Sequence, residues 1–122
     1  MQRDLLESLN IKMSDKKIRG GSLIARALRD KGIENVFTLS GGFCNPALEG
    51  LMECQIDVIN CPHEQIAGHI ADGHTRITRK PTVCLVGPEG FANAVPSMME
   101  AWGERSPVIF ITGSSSLRRQ GS

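Results

Sequence analysis

Aromatic side chains are scarce: four Phe, one Trp and no Tyr in 122 residues. Stacking platforms for single-stranded nucleic acid are built from such rings, so that class of partner finds little to bind. An excess of one charge is also missing. Fourteen Lys and Arg stand against thirteen Asp and Glu, a net of +1, which supplies no general pull toward nucleic acid or an anionic membrane. No apolar run approaches the roughly 20 residues of a membrane span. The opening stretch carries Asp4, Glu7 and Asp15 among its bases, unlike an acid-poor transit peptide. The cysteines Cys44, Cys54, Cys61 and Cys84 form no C-x-x-C pair and no secretory signal precedes them. They read as reduced, mostly buried thiols of a cytoplasmic protein. Neither nucleic acid nor membrane is expected as a partner.

What is present points to one core. A chain of 122 residues, 40% hydrophobic and 22% charged, suits a single soluble domain. Glycine is over-represented, 13 of 122 residues against a usual share of roughly 7%. It clusters in short turns of the kind that let backbone approach a ligand.

Residues 1–21 mix Leu5, Leu6 and Leu9 with charges and end in Gly20-Gly21, which reads as a flexible leader. From there Ser22 is placed to cap a helix with Leu23, Ala27 and Leu28 on its apolar face and Gly32 at its end. A strand over Val36, Phe37 and Leu39 stops at Ser40-Gly41-Gly42. Asn45-Pro46 opens a second helix, Ile56 to Ile59 is a second strand, and a longer helix runs from about Glu64 to Arg79. Its small residues Ala67, Gly68, Ala71 and Gly73 permit close approach to a neighbour. Val83 to Val86 is a buried-type strand. A helix follows to about Trp102, with Pro96 demanding a kink or a late start, and Pro107 to Thr112 is the last strand.

Strands separated by helices need crossover connections. The fold class predicted is therefore α/β, an open parallel sheet of about four strands with helices on both faces, a three-layer α/β/α arrangement incomplete at the C-terminus. Ligands of such sheets collect beyond the carboxyl ends of the strands. The four ends here read Ser40-Gly41-Gly42, Pro62-His63-Glu64, Gly87-Pro88-Glu89-Gly90 and Gly113-Ser114, so all four unusual segments are expected on one rim.

Several familiar chemistries are not completed. His63-Glu64 opens like a zincin helix, but Ala67 stands where the second His is required, and His69 lies about 240° round the helix from His63. Cys54, Cys61, His63 and His74 show no recognised zinc spacing, and no metal ligand is assigned. Neither Gly41-Gly42 nor Gly87-x-x-Gly90 completes G-x-G-x-x-G, no Walker Lys-Ser/Thr follows either loop, and no G-x-S-x-G occurs. Glu64 is the residue of interest. At the tip of a strand, flanked by Pro62, Ile66 and Ala67, its carboxyl is placed either to hold a proton in a poorly solvated crevice or simply to serve as a capping, solvated first-turn carboxylate.

The ordered segments resemble the amino-terminal pyrimidine-binding domain of thiamine diphosphate-dependent enzymes, the group of acetolactate synthase, benzaldehyde lyase and related decarboxylases. Gly32-Ile33-x-x-Val36-Phe37 with Gly41-Gly42 resembles that family's G-V-x-x-V-F-G-x-P-G-G segment. His63-Glu64-Gln65 followed by Ala71-Asp72-Gly73-His74-x-Arg76 resembles its H-E-Q and A-D-G-Y-A-R segments, and Gly87-Pro88-x-Gly90-x-x-Asn93 resembles G-P-G-x-x-N. The match runs from Gly20 to Gly113, making 22–122 a partial pyrimidine-binding domain.

The resemblance implies that Glu64 hydrogen-bonds a ring nitrogen of the cofactor's aminopyrimidine. Sharing a proton there favours the imino tautomer, whose exocyclic nitrogen removes the thiazolium proton. It also implies cofactor contacts for Gly41, Gly42, Gly87, Pro88, Gly90 and Asn93. The sequence departs from the pattern at Ser40, at Glu89, placed to cap its helix or else to alter the rim, at His74, and at Phe43, which falls where benzaldehyde lyase has an active-site His. The family's diphosphate-binding domain, which carries the magnesium motif, has no counterpart in these residues. The implied protein is the pyrimidine-side half of a thiamine diphosphate-dependent carboligase or 2-oxo-acid decarboxylase, a transferase or lyase inactive alone. Its implied partner is the diphosphate-binding domain of the same or another subunit, in a homo-oligomeric parent enzyme. A non-catalytic binding or assembly module, or a split subunit keeping the fold, is the alternative.

Overall fold

Strands covered on both faces are apolar at successive positions, not alternate ones, and Val36-Phe37 and Val83-Cys84-Leu85-Val86 are of that kind, all buried. The structure, a computed structural model, describes residues 18–114. In chain order it forms α1 (Gly20–Asp30), β1 (Asn35–Thr38), α2 (Asn45–Glu53), β2 (Asp57–Asn60), α3 (Glu64–Thr78), β3 (Thr82–Val86), α4 (Phe91–Gly103) and β4 (Val108–Thr112). The four strands are parallel, in the order β2-β1-β3-β4.

Register sorts the core into two halves. Ile59, Phe37, Cys84 and Phe110 align across the sheet. This row meets Ala67 and Ala71 of α3 and Ala94 of α4 on one face. Val58, Val36 and Val83 form the neighbouring row and meet Ala25 of α1 and Leu51 of α2 on the other. The three-layer α/β/α architecture expected from the alternation of elements is therefore the one observed.

Glycine brings the helices of each layer together. A Cβ on Gly21 would lie 1.8 Å from the Pro46 carbonyl oxygen, and one on Gly50 would lie 2.5 Å from the Gly21 oxygen, so α1 and α2 touch backbone to backbone. In the other layer a Cβ on Gly68 would lie 1.9 Å from Ser97 Oγ of α4. Gly73, expected to share this role, has open space around it.

Several local expectations are corrected. The leader predicted over 1–21 lies outside the described residues as far as 17, and its last two glycines form the first turn of α1. Ser22 does not cap that helix; buried at the helix contact, it donates to Glu53 of α2 at 3.0 Å. Tertiary packing thus turns two apparent breakers into helix. Strand β1 ends at Thr38, before Leu39, and α4 starts at Phe91 with Pro96 inside it, so the late start does not occur. Residues 115–122 lie outside the described residues.

Candidate functional site

The carboxyl ends of the strands are tied into one rim by hydrogen bonds between neighbouring loops. The Cys61 N–H donates to the Thr38 oxygen at 2.6 Å, the Ser40 N–H to Asn60 Oδ1 at 3.1 Å, and the Gly113 N–H to the Val86 oxygen at 3.3 Å. A Cβ on Gly113 would stand 3.1 Å from Phe43 Cβ and 3.6 Å from Pro88 Cδ, so the turns after β1, β3 and β4 meet there. Beneath this meeting lies a shallow pocket of about 150 Å³, its wall including Phe43, Cys44, Leu85, Ile111 and Gly113.

Glu64 is the first residue of α3. His63, extended at φ −158°, is the N-cap, its Nδ1 accepting the Gln65 N–H at 3.1 Å. The imidazole thereby takes the capping task considered for Glu64, and the half-buried carboxylate turns toward the start of α4. Asn93 Nδ2 donates to Glu64 Oε2 at 3.1 Å. Gly90 makes room for the same group: a Cβ there would lie 2.3 Å from Glu64 Oε1 and 2.7 Å from its Cδ. Neither carboxylate oxygen is bonded to anything but Asn93 among the described residues. Gly90 has φ −78°, a conformation open to any residue, so its missing side chain serves the carboxylate and not the turn.

Glu64, Gly90 and Asn93 are thus in direct contact, although they are far apart in sequence. Gly87 and Pro88 continue the same loop. Gly41 and Gly42 belong to the rim, the Gly41 oxygen accepting the Cys44 N–H at 2.8 Å, and a Cβ on either would meet nothing within 4 Å. Neither has a positive φ. Nothing in the described residues requires glycine at 41 and 42, which leaves an open, side-chain-free surface on the rim. Glu89 does not cap α4, whose N-cap is Gly90 without a side-chain bond.

The residues weighed for zinc do not converge, since Cys54 and Cys61 lie in the cores on opposite faces of the sheet. All four cysteines are free and buried. Cys84 lies deepest, its thiol pushed up to about 12 by burial and by the neighbouring Cys61 and Glu64. His74 is structural: Nδ1 is 3.1 Å from Thr82 Oγ1 and its ring tilts against Phe37 at 5.6 Å. Asp72 and Arg76, besides matching a motif, stand at the i,i+4 spacing of a helical ion pair. Arg76 donates to both Asp72 oxygens, at 3.0 and 2.6 Å, and this holds the buried carboxyl below the usual range.

The family profile described as "Thiamine pyrophosphate enzyme, N-terminal TPP binding domain" matches residues 18–122. The chain is 37% identical over 105 residues to the acetolactate synthase large subunit IlvG of Mycobacterium tuberculosis, covering 85% of this chain and 19% of that protein. It is 35% identical over 123 residues to 2-hydroxyacyl-CoA lyase 2 of Mus musculus, covering 97% and 19%. Among solved structures, a thiamine diphosphate-dependent 4-hydroxybenzoylformate decarboxylase of Rhodococcus jostii superposes with a TM-score of 0.73 at 23% identity, over 80% of this chain and 19% of that one. The chain spans about a fifth of the length of the curated relatives it matches.

Proposed function

We propose a function from one premise: the chain belongs to the thiamine pyrophosphate enzymes, as their N-terminal TPP binding domain. These residues are the pyrimidine-side half of a carboligase or 2-oxo-acid decarboxylase similar to acetolactate synthase, and Glu64 is the group that acts on the cofactor's aminopyrimidine. The observation that carries this reading is the Glu64 carboxylate seated in the Gly90 cradle, with Oε2 held by Asn93 and Oε1 without a partner among the described residues.

The residues fit the heterocyclic end of the cofactor. Glu64 Oε1 would take the bond it lacks from a ring nitrogen, and the bare turns at Gly41-Gly42 and Gly87-Pro88 would leave room for a flat ring against backbone. Thiamine diphosphate, when bound, supplies a carbanion-stabilising centre for making or breaking a bond beside a carbonyl. This chain's contribution is to hold and exchange a proton at Glu64 Oε1, while the bond from Asn93 to Oε2 fixes the carboxylate and leaves Oε1 free to accept or donate. Gly87 and Pro88 bound the seat. A carboxamide at position 64 keeps the shape but does not carry the proton. Diphosphate and magnesium fall to a diphosphate-binding domain of the same or another subunit, in a homo-oligomeric enzyme.

The test is the exchange of the thiazolium C–H proton with solvent in an enzyme carrying this segment. Glu64→Gln should slow it by orders of magnitude, and an unchanged rate would overturn the assigned role.

A further inference from the structure

The end of the molecule remote from Glu64 holds a second, polar cavity that the proposed function does not use. It has a volume of about 360 Å³ and lies where the carboxyl ends of α3 and α4 meet the start of β4, with Thr75, Arg76, Arg79, Glu104, Arg105 and Ser106 in its wall. The volume is in the range of small-molecule sites. Since α3 begins at Glu64 and runs 15 residues, the cavity stands roughly 20 Å from that carboxylate.

Three guanidinium groups and one carboxylate line this wall, and with Arg76 paired to Asp72 the remaining Arg79 and Arg105 outweigh Glu104 by +1. Arg76 is already engaged, bidentate to Asp72 and within reach of Glu100 and Glu104. Arg79 and Arg105 make no ion pair among the described residues. Both hold left-handed backbone, φ 60° and 55°, just after a helix, where glycine is the ordinary choice. The backbone is therefore not what calls for arginine at either position. The helix dipole favours a cation at these ends, but it does not account for a buried donor beside them. Thr75, 2% exposed, stands in the same wall with its Oγ1 buried and without a hydrogen-bond partner among the described residues. Buried hydroxyls are ordinarily bonded, and of the two χ1 rotamers open to a helical threonine one must turn this Oγ1 into the cavity for a ligand to reach it.

We infer that the cavity binds a phosphoryl group, neutralised by Arg79 and Arg105 and accepting a hydrogen bond from the Thr75 hydroxyl. Two unpaired guanidinium groups match the charge of a dianion. Donors stand on the side of α3, at its C-cap and in the turn after α4, and guanidinium groups pair with phosphate oxygens through charge-assisted bonds. Glu104 opposes the ligand's charge and Asp72, behind the wall, is spent on Arg76.

The experiment is a titration of the nitrogen-15-labelled chain with inorganic phosphate at constant ionic strength, with chloride as control anion, followed by NMR. Saturable shifts of the Thr75, Arg79, Arg105 and Ser106 amides are expected, with binding weakened at least about tenfold in the doubly substituted Arg79→Gly, Arg105→Gly chain. Glycine suits both left-handed positions, so that variant keeps a thermal midpoint no lower than the parent's. Thr75→Val, which removes only the hydroxyl, should weaken binding several-fold. Tighter binding of glycerol phosphate than of inorganic phosphate would identify an ester as the source of the group, and equal or weaker binding the free ion. Shifts that chloride reproduces, or that persist unchanged in the double glycine variant, would overturn the inference, as would the absence of shifts.

Discussion

Gly90→Ala separates the seat of Glu64 from the stability of the fold. The added methyl would begin 2.3 Å from Glu64 Oε1, whereas ordinary contacts start near 3.4 Å, so the carboxylate must retreat by about 1 Å and abandon Asn93. Glu64 is half-buried and can swing outward. The cost to folding is about 0.5–1.5 kcal/mol for a displaced rotamer, with a similar amount for one lost hydrogen bond. Against this stands a gain of about 0.4–1 kcal/mol, because alanine fits the φ of −78° at position 90 and restricts the unfolded chain. The net change is about 1 kcal/mol, or roughly 3–6 °C in thermal midpoint for a domain of this size. Function should suffer far more, since a misplacement of about 1 Å in a positioned group costs on the order of a hundredfold. The paired assay is thermal unfolding of the variant beside NMR titration with the aminopyrimidine half of thiamine. A thermal midpoint lowered by only these few degrees, with pyrimidine binding lost, is expected. Pyrimidine binding retained at parental strength would refute the cradle.

The helix contacts give a graded series. Gly21→Ala and Gly50→Ala, which drive a methyl into backbone, should each destabilise by about 3 kcal/mol or more, while Gly73→Ala, with open space around it, should stabilise by about 0.5–1 kcal/mol; urea unfolding orders them. Asp72 has its folded pKa depressed by Arg76, so its contribution is present above the unfolded pKa and is lost as pH falls through the lower folded value. Asp72→Asn should lower the midpoint at neutral pH and flatten its fall on acidification, as read by circular dichroism. Burial of all four thiols, with Cys84 pushed up to about 12, predicts that a disulfide reagent at mildly alkaline pH reacts only as fast as the chain opens. Full labelling on mixing would contradict that burial.

The alternation of elements was legible because the strands carry continuous apolar runs and the helices are bounded by Pro46, Pro81 and glycine turns. Helix ends were less so. Gly20-Gly21 reads locally as a break, but Gly21 lies inside α1, where its missing side chain admits Pro46 and the first residues of α2. His63 was not read as a cap because imidazoles seldom serve as one, and the capping role was weighed for Glu64 instead. Strand order was not assigned from the sequence at all. The rim residues were legible one by one, but not the meeting of Glu64 with Gly90 and Asn93. That contact joins the starts of two successive helices, and only the parallel sheet brings them side by side.

Whether the Glu64 carboxylate meets an aminopyrimidine is measured directly by NMR titration of the labelled chain with that half of thiamine. Weak, saturable shifts at the Glu64, Gly90 and Asn93 amides, abolished by Glu64→Ala, are predicted. No shift at those amides, or shifts that survive the substitution unchanged, would contradict that contact.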